Sequence, residues 1–286
     1  MRRARTRAAL ASVAMCTALA LAMAPPPAEA IQPRDTGIVL LHGWGLQDEA
    51  GRQNPFAANW LLSKTLREAG YVVAEEEMPW GPRRLLDVSR EGAMREIDTL
   101  VGRLRAAGAR RIVVAGHSMG ATMAIAYGGQ RDVDAIVALA PGMHVELHAR
   151  LFPDVAPVEL ARARALIAAG RGDEPAPFTG INCCFIVREF ATTPANYLSW
   201  HDPAGAGRVD RNAARIRPGT SVLLVFGRDD PMHGAFARAR LAYHDYVWER
   251  LATGVQRRRL IVDANHAGVP TAAVPHVVQW LAGLPG

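Results

Sequence analysis

One of the six serines in this 286-residue chain is placed unlike the others. In Gly116-His117-Ser118-Met119-Gly120 it has a glycine two residues to either side. With 26 glycines in the chain, random placement would give roughly 0.05 such patterns. The pattern lies between a β-branched apolar run, residues 111–115 (RIVVA), and a helical pattern over 119–127. A tight strand-to-helix turn there points Ser118 Oγ outward, and the flanking glycines let the backbone pass closely without Cβ clashes. A serine hydroxyl is a poor nucleophile at neutral pH and needs a base within hydrogen-bond reach. His266 meets that need, because it follows the run 258–262 on a loop at the carboxyl end of a strand, the same edge as Ser118. His244 and His276 fall inside helical patterns, and the turn directs the side chain of His117 away. The base in turn needs a carboxylate to hold its tautomer. Asp229 and Asp230 follow the run 221–226, and residue propensity does not separate them, although Pro231 holds Asp230 extended. The backbone N–H of Met119, at a helix start, suits an oxyanion.

Other groupings carry less chemistry. His144 and His148 stand four apart with Glu146 between them, but no third ligand accompanies them, so no metal is expected. Gly205-Ala206-Gly207 follows no strand and lacks the third glycine of a dinucleotide loop. Arg171-Gly172-Asp173 spells an adhesion tripeptide, too short to be informative. Lys64 is the only lysine and follows Ser63, which excludes a Walker A loop. No cofactor is expected.

Half the residues are apolar and 21% are charged, which fits one globular domain with a full core. Disordered, coiled-coil and polytopic membrane classes are excluded. Short runs at 37–41, 71–74, 111–115, 135–140, 221–226 and 258–262 predict strands, and most are continuously apolar, as expected for strands covered on both faces. Helical patterns at 59–69, 92–107, 119–127, 234–251 and 271–284 alternate with them, which implies a parallel sheet with crossover helices in three layers. The interval 141–218 breaks the rhythm. Its one clear helical pattern is 158–170, and the rest reads as loop. It holds Phe178, Phe185, Phe190, Tyr197 and Trp200, either as a cover over one end of the sheet or as a small core of its own.

The first thirty residues read as a secretory signal. Arg2, Arg3, Arg5 and Arg7 precede the apolar run 8–24, a proline break and Ala28-Glu29-Ala30, with cleavage expected after Ala30. Those four arginines and Glu29 supply three of the net six positive charges, leaving +3 for the body. A body that mildly basic, with arginine groups at 103–111 and 257–259 read as solvated element ends, does not point to nucleic acid. Export would remove Cys16 and leave Cys183 and Cys184, whose Cα atoms lie about 3.8 Å apart as chain neighbours, below the usual disulfide range. A large core must then replace disulfides.

From residue 36 to 284 the chain resembles the α/β-hydrolase family. Leu41-His42-Gly43-Trp44-Gly45 matches its HG oxyanion loop, Gly116 to Gly120 its nucleophile elbow, and Gly227-Arg228-Asp229-Asp230-Pro231 its G-x-x-D acid turn. Asn265-His266-Ala267-Gly268 stands where the family carries its histidine, so the order Ser, Asp, His agrees. The resemblance implies the three-layer α/β-hydrolase fold in a compact version of about six strands, since little chain precedes Gly37. It implies Ser118 as nucleophile, His266 as base and Asp230, favoured over Asp229 by the G-x-x-D register, as acid. Met119 and Trp44 supply the oxyanion N–H groups. The compact layout resembles dienelactone hydrolases, which carry cysteine at the elbow. The expected protein is an exported serine hydrolase acting on a small-molecule carboxylic ester, with no membrane span once the signal is cleaved. Amide or peptide hydrolysis, acyl transfer, and a silent binding module on this fold are the alternatives.

Overall fold

The computed structural model describes residues 31–44, 54–181 and 187–285. Residues 1–30 with Cys16, where a secretory signal is expected, and Gly45, Phe185 and the Cys183–Cys184 pair lie outside the described residues. In chain order the strands are β1 (Thr36–Leu41), β2 (Val72–Ala74), β3 (Arg111–His117), β4 (Ala135–Leu139), β5 (Ala176–Ile181), β6 (Val187–Thr192), β7 (Ser221–Gly227) and β8 (Gln256–Val262). Six of them form one parallel sheet in the order β2-β1-β3-β4-β7-β8, while β5 and β6 pair as a separate antiparallel hairpin. The helices are α1 (Trp60–Glu68), α2 (Arg90–Ala106), α3 (Met119–Gly128), α4 (His148–Leu151), α5 (Ala156–Ala168), α6 (Pro194–His201), α7 (Val209–Ala213), α8 (Met232–Arg238), α9 (Tyr243–Tyr246) and α10 (Val269–Ala282).

Strand side chains alternate between two cores. Ile38, Leu40, Val113, Val137 and Leu223 pack against Leu62 and Leu66 of α1 and Val277 and Leu281 of α10. Val39, Leu41, Ile112, Val114, Ile136 and Leu224 pack against Met94, Ile97 and Leu100 of α2 and Ile125 of α3. The central strands are therefore apolar through their middle positions, with Thr36, Arg111, His117 and Ser221 only at their ends, and this is the reason for the continuous runs in the sequence. The registers Leu41↔Gly116, His117↔Leu139 and Gly227↔Val262 bring the carboxyl ends of the strands to one edge. Strand order reverses between β1 and β3, and a crevice at that point is where open α/β sheets bind ligands.

Three expectations are corrected. Residues 234–251 do not form one helix. Arg240 takes a left-handed φ of 55°, Leu241 N–H donates to Phe236 O, and the chain turns into α9 and a 3-10 turn at Trp248–Arg250. The break lets Phe236, Tyr243 and Tyr246 all meet the ring of His144 edge-on. Second, β8 is not covered on both faces. It is the sheet's edge, with Gln256, Arg257 and Arg258 exposed and the guanidinium groups of Arg257 and Arg259 lying over Trp248 at 4.5 and 5.1 Å. Third, the interval 141–218 is built of the β5–β6 hairpin, α4, α6 and α7 as well as α5. Of its aromatics, Phe178, Phe190, Tyr197 and Trp200 are buried, with Phe178 stacked on Tyr197 at 4.3 Å, while Phe152 is half-buried. It is tied to the body by Trp200 Nε1 donating to Val88 O (2.8 Å) and by Thr192 Oγ1 donating to Leu86 O (2.7 Å). The interval therefore has a small aromatic core of its own that packs on the body.

Candidate active site

Ser118 follows β3 directly and has φ 55° and ψ −117°, a conformation that L-residues avoid. The two glycines make this turn possible. A Cβ on Gly116 would fall 2.3 Å from Gly120 O, and one on Gly120 would fall 2.4 Å from His42 O. Beside the turn, Ala140 also takes a positive φ of 48°, and Gly142 donates its N–H to Ser118 O. A Cβ on Gly142 would meet Ser118 Oγ at 2.7 Å, so this glycine leaves the hydroxyl its space. Met119 opens α3, where a backbone N–H has no intrahelical acceptor.

The acid turn separates the two aspartates. Asp229 is exposed, whereas Asp230 is buried and accepts hydrogen bonds from Met232 N–H (2.9 Å) and from His266 Nδ1 (2.7 Å). Donation from Nδ1 places the imidazole proton there and leaves a lone pair on Nε2. That Nε2 is buried and has no hydrogen-bond partner among the described residues. No hydrogen bond joins it to Ser118 Oγ, so Asp230 and His266 are brought into contact and the serine is not yet engaged. Such bonds are commonly long before substrate binds.

Two further histidines, His117 and His42 of the oxyanion loop, hold the surrounding loops. His117 Nε2 donates to the carbonyl of His266 (2.9 Å), which ties the last loop to the serine turn. Burial pushes its pKa down to about 3, so it stays a neutral donor. His42 Nδ1 donates to Gly43 O (2.6 Å), its Nε2 accepts from Met78 N–H (2.9 Å), and its carbonyl accepts from Trp80 Nε1 (2.7 Å). Burial lowers its pKa to about 4, which keeps the ring neutral, and these hydrogen bonds fix its tautomer. The loop ending at Trp44 is thereby pinned, and the Trp44 ring packs edge-on against Phe190 at 5.3 Å.

Ser118 opens into a narrow cavity of about 30 Å³, walled mainly by Trp44, Met119, Met143, Phe152 and Met232. His148 and His201 also line it, a pair no local sequence pattern brings together. His144 and His148 do not converge: His144 is buried among aromatic rings, and its Nε2 donates to Pro141 O. Among the described residues no three His, Cys, Asp or Glu side chains are grouped as metal ligands, and no helix is long and apolar enough to cross a membrane.

A parallel sheet with a strained serine at its carboxyl edge, faced by an Asp–His pair in that chain order, is the architecture of the α/β hydrolases. The chain belongs to the alpha/beta hydrolase family, whose description matches residues 38–278. No curated protein matches the sequence. Among solved structures, the chain is similar to one reported for LipS and LipT, two metagenome-derived lipolytic enzymes (17% identity, 88% of this chain and 95% of that one, TM-score 0.58). It is also similar to a monoacylglycerol lipase from Paleococcus ferrophilus (20%, 89% and 96%, TM-score 0.53). A third similar structure is Est1E from Butyrivibrio proteoclasticus with ferulic acid bound (15%, 88% and 94%, TM-score 0.53). At these identities the likeness is one of fold.

Proposed function

We propose that this chain is an exported serine hydrolase that cleaves carboxylic esters through an acyl-enzyme on Ser118. The observation that carries the reading is the buried Asp230–His266 hydrogen bond, which leaves an unpartnered Nε2 lone pair on the strand edge that holds Ser118. His266 Nε2 takes the Ser118 proton as Oγ attacks the ester carbonyl. The tetrahedral oxyanion receives the N–H groups of Met119 and Trp44. On collapse the C–O bond to the alcohol breaks, and His266 returns the proton to the departing oxygen. Water then attacks the acyl-enzyme with His266 again as base, and releases the acid and Ser118. The mainly apolar cavity fits an ester better than a charged substrate. The lipolytic and lipase descriptions of similar folds support the same choice.

A fluorophosphonate probe and a panel of ester chain lengths test this. Wild type is expected to carry the label on Ser118 and to release acid. Ser118→Ala and His266→Ala are each expected to lose several orders of magnitude in turnover, with the double variant hardly worse than either. Near-normal turnover in His266→Ala would assign the base elsewhere. The export part rests on the basic, apolar and small-x-small order of residues 1–30. It is tested by N-terminal sequencing of the secreted product, which is expected to begin at Ile31. Intact Met1 on a membrane-bound product would refute it.

A further inference from the structure

The cavity at Ser118 is apolar except at its far side, where His148 and His201 stand with ring centroids 5.9 Å apart. Both are more than nine-tenths buried. They also line a second, smaller chamber with Val155, Leu160 and Thr179, so the pair forms the partition between the two spaces. Neither belongs to the Ser118, Asp230 and His266 set, and neither is explained by packing alone. His201 is fixed by its stack on Tyr197 (4.1 Å, 13°) and by Nδ1 donating to Tyr197 O (2.9 Å). In the neutral ring that leaves Nε2 as a bare acceptor, with no partner among the described residues. His148 makes ring contacts with Phe152 and His201 but no hydrogen bond through either nitrogen among the described residues. Both side chains line the cavity and neither has a nitrogen sealed from it, so they offer hydrogen-bonding atoms to a ligand on an otherwise mainly apolar wall.

We infer that His148 and His201 form a hydroxyl-binding subsite, and that the substrate is an ester bearing a hydroxyl group on its acyl or alcohol part. The inference rests on the ester reading of the same site. A hydroxyl is the one common neutral group that donates and accepts at once: it donates to His201 Nε2 and accepts from the N–H of His148. Hydrogen bonds of about 2.8 Å to each nitrogen suit an oxygen set between rings at this spacing. Burial pushes the pKa of His148 down to about 3 and that of His201 to about 4, with the Arg90 charge also pressing on both. Two neutral imidazoles cannot neutralise an anion, so a carboxylate or phosphate in this place is disfavoured.

The test is a pair of substrate series assayed by acid release. In one, methyl hexanoate is set against methyl hexanoates carrying one hydroxyl at successive chain carbons. In the other, butyl butanoate is set against its hydroxybutyl counterparts, which separates an acyl-side hydroxyl from an alcohol-side one. For wild type, a hydroxyl at one position in one series is expected to raise kcat/KM about tenfold or more over the plain ester. In His148→Phe and His201→Phe that ratio is expected to fall to about one. The wild-type ratio alone decides the matter if a variant does not fold. Ratios near one at every position in both series, with plain esters hydrolysed and Ser118 labelled, would overturn the subsite and leave the ester reading intact. Folded variants that keep the preference would do the same. Acid released from none of these esters would overturn both.

Discussion

Ser118 and Gly142 illustrate how narrow the tolerances around the reacting atom are. A methyl group at position 142 would reach Ser118 Oγ, the free end of a side chain rather than backbone, so the clash is relieved by turning the hydroxyl away. Gly142→Ala is therefore expected to keep its melting temperature within a few degrees while kcat falls about a hundredfold, since displacement by about 1 Å is enough for that. Turnover of one ester and the rate of fluorophosphonate labelling measure it together. At the acid, Asp230→Asn removes the charged acceptor of His266 Nδ1 and is expected to lower kcat by up to about 10⁴-fold with the fold intact. Asp229→Asn, at an exposed side chain, is expected to stay within a few-fold, with circular dichroism confirming both folds. Ser118, His266 and the aspartate pair were legible because short spacings fix them at strand ends. His148 and His201 were not, since 148 and 201 meet only through the folding of the excursion, and the local spacing pointed instead to His144.

The elements reading the sequence best are those buried on both faces. Their apolar runs leave no polar position for another conformation to use, and β1, β3, β4 and β7 fall where the runs lie. The hairpin β5–β6 went unread because APFTGI and VREFAT mix proline, glycine and charge, and neither repeats a clean alternation. Likewise the turn at Arg240 uses a left-handed residue with no glycine to mark it. Where glycine does mark a junction, the element depends on it. Gly120 lies against the backbone carbonyls of Leu41 and His42, neither of which can move without shifting β1. Gly120→Ala is expected to cost about 3 kcal/mol or more, read as a lowered urea midpoint with an unchanged slope. A midpoint equal to wild type would mean that the serine turn and the oxyanion loop are not in contact as described.

Across the whole molecule, Arg90 joins the excursion to the sheet at a cost. Its guanidinium lies 5.4 Å from the Trp200 ring and close against Gly207, and none of its three nitrogens has a hydrogen-bond partner among the described residues. Burial lowers its pKa to about 10 against the opposing pull of Glu146, so the charge is carried into a place that does not solvate it. Replacing such a charge by an apolar side chain of similar length is commonly neutral or stabilising. Arg90→Met is expected to melt at the wild-type temperature or above, and a fall of more than a few degrees would show that the charge has a partner. The arginines of β8 act on a different property. An edge strand with free N–H and C=O groups is a template on which a second molecule can add a strand. Arg257 and Arg258 set two like charges along that rim, with Arg257 braced on Trp248 and Arg259 beside them paired with Asp245, so an approaching copy meets its own repulsion before any hydrogen bond can form. The protection is ionic, and in about 1 M salt its range shrinks to roughly 3 Å. Colloidal behaviour should thus run against the usual preference for salt: light scattering at fixed protein concentration rises with sodium chloride in wild type, and an Arg258→Ser variant scatters already in dilute buffer.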